Sequence, residues 1–250
     1  MTSIDLVLVF LGGLAAGTIN TVVGSGTLIS FPVLLAVGYT PIVANVSNTI
    51  GLVPGSLAGS WGYRRELAGQ WGRIARLTVA SVTGGIVGAV LLLVLPASAF
   101  KAIVPAFIIV ALVLVVCQPR ISRMLGSRGL EGAGIGGIGS LLGLFVCGVY
   151  GGYFGAAQGI LILATLGFLA FDSLQRRNAA KNVLAGATNL VAGAIFAFAA
   201  PVNWRAALVV ASGAIIGGFA GAKIGRRLSP RVLRTAIALV GVAAIAKLLL

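Results

Sequence analysis

The sequence predicts an all-α integral membrane protein made of two inverted repeats of about five segments, each opening with a glycine-broken helical hairpin. Three observations lead there: the composition, apolar runs of helical length, and the ordered return of the same residues half a chain later. The 250 residues are 59% hydrophobic and only 9% charged, with a mean hydropathy of +1.11. A soluble domain carries roughly 25% charged residues because its surface faces water. At about 20 residues per crossing the chain holds material for roughly eight to ten passes. A β-barrel also satisfies every backbone group in lipid, but it reads as short alternating segments. The runs here are continuous and helical in length.

In chain order the apolar blocks are 6–38, 42–61, 77–95, 102–117, 135–171, 183–200, 206–222 and 232–250. The first is interrupted at Gly24-Ser25-Gly26, and the fifth at Gly151-Gly152 and Gly155. The second ends at Arg64-Arg65-Glu66, and the third stops at Pro96. Met1-Thr-Ser-Ile-Asp-Leu has no basic residue before its apolar run and no cleavage site follows, so the first segment reads as structural rather than as a removed signal.

Gly12, Gly17 and Gly24 recur as Gly143, Gly148 and Gly155, an offset of 131. Asn48 and Gly59 recur as Asn182 and Gly193, and Gly84-Gly85-Ile-Val-Gly88-Ala89 recurs as Gly217-Gly218-Phe-Ala-Gly221-Ala222. The chain thus divides into an N-terminal repeat, 1–130, and a C-terminal repeat, 131–250, within one integrated membrane domain. Such internal symmetry is a signature of transporter folds.

The formal net charge is +14, which in a soluble protein suggests nucleic acid. In a membrane protein it reflects the retention of Lys and Arg in cytoplasmic loops. Fifteen of the eighteen basic residues fall in the connectors 64–76, 120–128, 176–181 and 223–234. Placing all four on the cytoplasmic side makes blocks 77–95 and 206–222 run in opposite directions, so the repeats are inverted. Both long blocks must then be hairpins that return to their starting side. Each is shorter than the ~40 residues two full spans need, which predicts two short helices meeting at a glycine-rich turn inside the membrane. Both termini are expected outside, in a bacterial-type cytoplasmic membrane.

Helix breaks at matching places in inverted halves point to a substrate site. A helix N-terminus inside the membrane offers backbone N–H groups and a positive dipole end to an anion. Around the breaks lie Thr18, Asn20, Thr21, Ser25, Gly26, Thr27 and Ser30, and on the other side Tyr150, Tyr153, Gln158 and Thr165. Adjoining segments carry Asn45, Ser47, Asn48 and Thr49, then Asn178, Lys181, Asn182, Thr188 and Asn189. A buried amide needs a partner, so these groups face one another, water or a ligand. Many serve as glue between helices; Asn20, Asn48, Gln158 and Asn182 are equally readable as ligand contacts. Lys181 either draws an anion in or is an interfacial lysine reaching for the headgroups.

The four acidic residues, Asp5, Glu66, Glu131 and Asp172, each lie at or beyond the end of an apolar block. A mid-membrane carboxylate site for H⁺ or Na⁺ is therefore not evident, and the remaining donors suit an anion. His is absent, so no imidazole metal site or His base exists, and no cofactor is expected. Cys117 and Cys147 read as apolar packing residues rather than a disulfide.

The run Gly17-Thr-Ile-Asn20-Thr-Val-Val-Gly24-Ser-Gly26-Thr-Leu-Ile-Ser-Phe-Pro32, with Gly38, Ala44-Asn-Val-Ser-Asn48-Thr, a second copy over 148–159 and Ala179-Ala-Lys-Asn182, resembles the sulfite exporter TauE/SafE family of membrane permeases. The resemblance implies transport, in many cases export, of sulfite, an organosulfonate or a related small sulfur-containing anion. It also implies a midplane site formed by the two hairpins with Asn20, Ser25, Gly26 and Gln158. The second hairpin departs from the family pattern: Gly155-Ala156-Ala157-Gln158-Gly159 replaces two glycines, and Pro32 has no counterpart. The site expected is thus Asn20, Ser25, Gly26, Thr27, Asn48, Gln158, Lys181 and Asn182, working by alternating access. The partners expected are the small anion, the lipid bilayer and, as an open alternative, a second copy in a homodimer, with no nucleic acid. A channel or facilitator for another small oxyanion or carboxylate is the rival reading. An intramembrane enzyme lacks general bases.

Overall fold

The computed structural model describes residues 1–127, 137–169 and 173–224. Among these, every regular element is a helix: α1 (Ser3–Val22), α2 (Thr27–Ala36), α3 (Pro41–Gly62), α4 (Arg64–Leu67), α5 (Trp71–Val94), α6 (Ala97–Ser127), α7 (Ile138–Tyr153), α8 (Gln158–Leu166), α9 (Leu174–Ala199) and α10 (Trp204–Ile224). Five of them (α1, α5, α6, α9 and α10) contain stretches long and apolar enough to cross a bilayer. The chain is a multi-pass α-helical membrane protein. Block 232–250, the 223–234 cluster beyond Ile224, and Glu131 and Asp172 lie outside the described residues.

Local chemistry explains the helix limits. A capping box opens α1: the Thr2 hydroxyl accepts from the Asp5 N–H at 3.2 Å, and the Thr2 N–H donates to the Asp5 carboxylate at 2.7 Å. Pro41 starts α3 at a position where a missing N–H costs nothing. Ser173 caps α9 by accepting from the Arg176 N–H at 3.2 Å, and the Asn203 side chain does the same for α10 at Ala206. Block 183–200 therefore begins nine residues earlier than its apolar pattern suggests. No Gly or Pro stands between Ser173 and Val183, so the helix runs through Arg176, Arg177 and Lys181.

The two hairpins exist, but their limbs are unequal. α1 has 20 residues and α2 has 10; α7 has 16 and α8 has 9. The expectation of two short helices is corrected for the first hairpin, whose entering limb α1 is long enough to cross a bilayer, whereas both limbs of the second are short. The cause is the off-centre break, where Gly24 (φ +87°) and Gly155 (φ +76°) take left-handed backbone that glycine adopts without penalty.

The ends of the molecule are chemically distinct. At one, the Arg176 guanidinium donates to the Ala68 carbonyl at 3.0 Å, which brings the connectors 64–76 and 176–181 together. At the other, burial pushes the Tyr39 phenol up from its ordinary range, Arg205 pulls it back and Asp5 raises it again, so the start of α1, the α2–α3 turn and the α9–α10 turn are electrostatic neighbours. Helix α1 enters from this second end. Helix α7 enters from the basic end, where Leu141 and Leu144 join a core with Tyr63, Leu67, Ile74, Ala179 and Ala180. All three tryptophans, Trp61, Trp71 and Trp204, are exposed at helix ends, as aromatic belts at the two bilayer surfaces are.

Packing is reciprocal between the halves. Helices α1 and α3 pack on α10, while α7 and α9 pack on α5; α3 and α9 join the two groups. The seams are glycine-lined. A Cβ on Gly13 or Gly17 would strike the backbone of Val210 or Ala214, and one on Gly213 or Gly217 would strike Phe10 or Leu14. Likewise Gly84 and Gly88 press on Phe145 and Val149, and Gly148 and Gly152 on Ser81 and Gly85. In lipid no hydrophobic effect drives helices together, so close backbone approach supplies the attraction. Replacing Gly88 by Val should therefore separate α5 from α7 and cost about 3 kcal/mol or more, read as loss of the monodisperse peak and a lower thermal midpoint in detergent. Gly139→Ala, which points into open space, should leave both unchanged.

Candidate functional site

The two breaks meet. The Gly159 N–H, in the first turn of α8, donates to the Gly24 carbonyl at 3.0 Å, and a Cβ on either glycine would collide with the Cα of the other. One of the α8 amides expected to face an anion is thus already bonded to the opposite hairpin, which corrects the idea that both N-termini are bare. Gly26 precedes α2, pressed so closely on Ala16 that a Cβ would strike the Ala16 carbonyl.

Lys181 lies across this junction. Its stem passes over both Gly24 and Gly159, and its ammonium donates to the Asn20 carbonyl at 2.9 Å and the Thr21 carbonyl at 3.1 Å. It is fully buried, so it is not an interfacial lysine reaching for headgroups. The reason is geometric: its position on α9 places it level with the end of α1, where the last carbonyls lack helical partners and carry the negative dipole end. Neither described carboxylate forms an ion pair with it: Asp5 caps Thr2 at the start of α1, and Glu66 lies in α4.

Three donors converge on one acceptor. Thr21 O receives Lys181, the Asn178 amide at 3.2 Å and the Asn182 amide at 3.3 Å. A carbonyl has two lone pairs, so the three share it, while the Asn178 side-chain oxygen is buried without a partner. The Ser25 hydroxyl, in the break itself, is buried without a hydrogen-bond partner. Asn48 donates to the Thr27 hydroxyl at 3.5 Å while its carbonyl oxygen has no partner. Half-buried Asn20 reaches the Ser56 hydroxyl at 3.4 Å.

Seven of the eight expected residues therefore belong to or adjoin the first break and its α3 and α9 neighbours. Gln158 does not join them. Its amide donates to the Cys147 carbonyl at 3.3 Å and fills the space above Gly151 on α7, so it braces the second hairpin. Sequence reasoning passed over Asn45 as a cap: its amide donates to the Tyr153 carbonyl at 3.0 Å, closing the end of α7 as Lys181, Asn178 and Asn182 close the end of α1. Its place three residues before Asn48 was the available signal. The second break is instead aromatic. Tyr150 donates to the Ala156 carbonyl at 2.6 Å, and Phe154 stacks edge-on against Phe31 at 5.2 Å and near Phe100 at 6.1 Å. Ala157 adopts φ +58°, a left-handed conformation uncommon for a residue other than glycine. Cys147 and Cys117 are free thiols.

Gly24→Ala should cost about 3 kcal/mol or more, since it combines positive φ with a backbone collision. Gly38→Ala, with φ +101° but open space around it, should cost only about 1 kcal/mol. Comparing thermal midpoints of the two purified variants checks this.

Similarity to known proteins agrees with this architecture. The chain is 27% identical over 223 residues to a "Probable membrane transporter protein" of Haemophilus influenzae, covering 88% of this chain and 84% of that one. It is 23% identical to "Probable membrane transporter protein ORF9" of Sinorhizobium sp over 98% and 92% of the two chains. It is also 26% identical to "Probable membrane transporter protein YfcA" of Escherichia coli K12, over 96% and 88%. No solved structure matches. The family model described as "Sulfite exporter TauE/SafE" matches residues 9–248, almost the whole length, and the chain belongs to the sulfite exporter TauE/SafE family of membrane permeases.

Proposed function

We propose that this protein carries a small sulfur-containing anion, such as sulfite or an organosulfonate, out of the cell by alternating access around the meeting point of the two breaks. The observation that carries the reading is Lys181: a fully buried ammonium with no carboxylate partner among the described residues, set where both hairpins touch. A lone buried charge is costly, and an anion is the partner that would complete it. The Lys181 ammonium and the unpartnered Ser25 hydroxyl would complement oxygen atoms of a sulfite or sulfonate group. The family description names sulfite export, and the relatives' names give membrane transport.

The reciprocal packing of α1 on α10 and α7 on α5, with α1 and α7 entering from opposite ends, supports an inverted duplication. In such a fold one group of helices rocks against the other around a fixed central site. The basic end would face the cytoplasm, with the N-terminus outside. The aromatic group of Phe31, Phe100 and Phe154 would close the site toward the outer face.

Labelled sulfite, thiosulfate, sulfoacetate and taurine, offered to proteoliposomes with and without a pH gradient, identify the substrate. Lys181→Gln keeps a donor for the α1 carbonyls and removes the charge, so flux should fall about 10- to 100-fold, the worth of one charged hydrogen bond. Folded yield should be retained. Unchanged flux would exclude Lys181 from the site. Gln158→Ala should lower thermal stability and leave the apparent substrate affinity unaltered.

A further inference from the structure

We infer that the groove between the basic ends of α3 and α10 binds the headgroup of an anionic glycerophospholipid. A cavity of about 410 Å³, lined by Gly62, Phe219, Ala222 and Lys223, opens there. It exists because α3 and α10 approach closely: a Cβ on Gly62 would collide with that of Ala222. Both helices show the same polarity toward their basic ends. On α10, Ile215, Phe219 and Lys223 follow one another at four-residue spacing and all are exposed, so they share a face. On α3, exposed Leu57 and Trp61 lead to Arg64, whose guanidinium lies 5.4 Å above the Trp61 ring.

Each stripe runs from apolar residues in the bilayer, through an aromatic ring, to a cation at the surface. A phospholipid has the matching order, with acyl chain, glycerol level and phosphate. Lys223 supplies the charge in the groove, with Arg64 at its α3 side, and Phe219 supplies a surface for the chain. Basic pockets between spanning helices on the cytoplasmic side hold anionic headgroups in this way. The opposite end has Arg205 beside exposed Trp204, away from this groove, which makes Arg205 the control.

The test is native mass spectrometry of the full chain in detergent, titrated with phosphatidylglycerol or phosphatidylcholine. One retained phosphatidylglycerol is expected, preferred over phosphatidylcholine. Lys223→Gln should weaken it about fivefold, the worth of one basic residue near a charged leaflet, and Phe219→Ala should weaken both lipids. Glycerol 3-phosphate should not displace it, because the acyl chain contributes. Equal retention of the two lipids, an unchanged titration in Lys223→Gln, an equal loss in Arg205→Gln, or displacement by glycerol 3-phosphate would each overturn the assignment.

Discussion

A helix that stops halfway through a membrane leaves carbonyls and amides with no water to receive them, and this constraint organises the whole molecule. The chain meets it by setting its two breaks against each other. Gly24 gives its carbonyl to Gly159, α9 sends Lys181, Asn178 and Asn182 to the end of α1, and α3 sends Asn45 to the end of α7. Each hairpin is finished by a helix of the other half or by the other hairpin. Neither half caps the end of its entering limb by itself, so the two are interdependent at the level of single hydrogen bonds.

That arrangement requires close helices, and the glycine seams provide them. Where α1 meets α10 and α5 meets α7, side chains are absent from the contact line and backbones touch. The polar groups then have short, defined distances to span. The same closeness buries Lys181 completely, although it lies on a helix that begins at the basic end. Capping the negative end of α1 holds the ammonium in place at the junction. Structural glue and the proposed anion site are therefore the same atoms.

Much of this was legible in the sequence. Apolar length gave the helical membrane class, and Gly24 and Gly155 gave the breaks, because a left-handed turn in an apolar run selects glycine. The clustering of Asn20, Ser25, Thr27, Asn48, Lys181 and Asn182 around the first break followed from the cost of leaving amides unpaired in lipid. Three things were not legible. The true starts of α1 and α9 depend on the Thr2 and Ser173 caps, which lie outside the apolar pattern. The burial of Lys181 depends on a helix more than 150 residues away in sequence. The turning of Gln158 toward Cys147 depends on the missing side chain of Gly151, which periodicity alone does not reveal.

The most direct test of the account is an experimental density map of the protein soaked with an anomalously scattering oxyanion such as selenite. The account predicts an anomalous peak within hydrogen-bonding distance of the Lys181 ammonium, beside Gly24 and Ser25, between the ends of α1 and α8. A peak elsewhere, with Lys181 still bonded only to the Asn20 and Thr21 carbonyls, would contradict it.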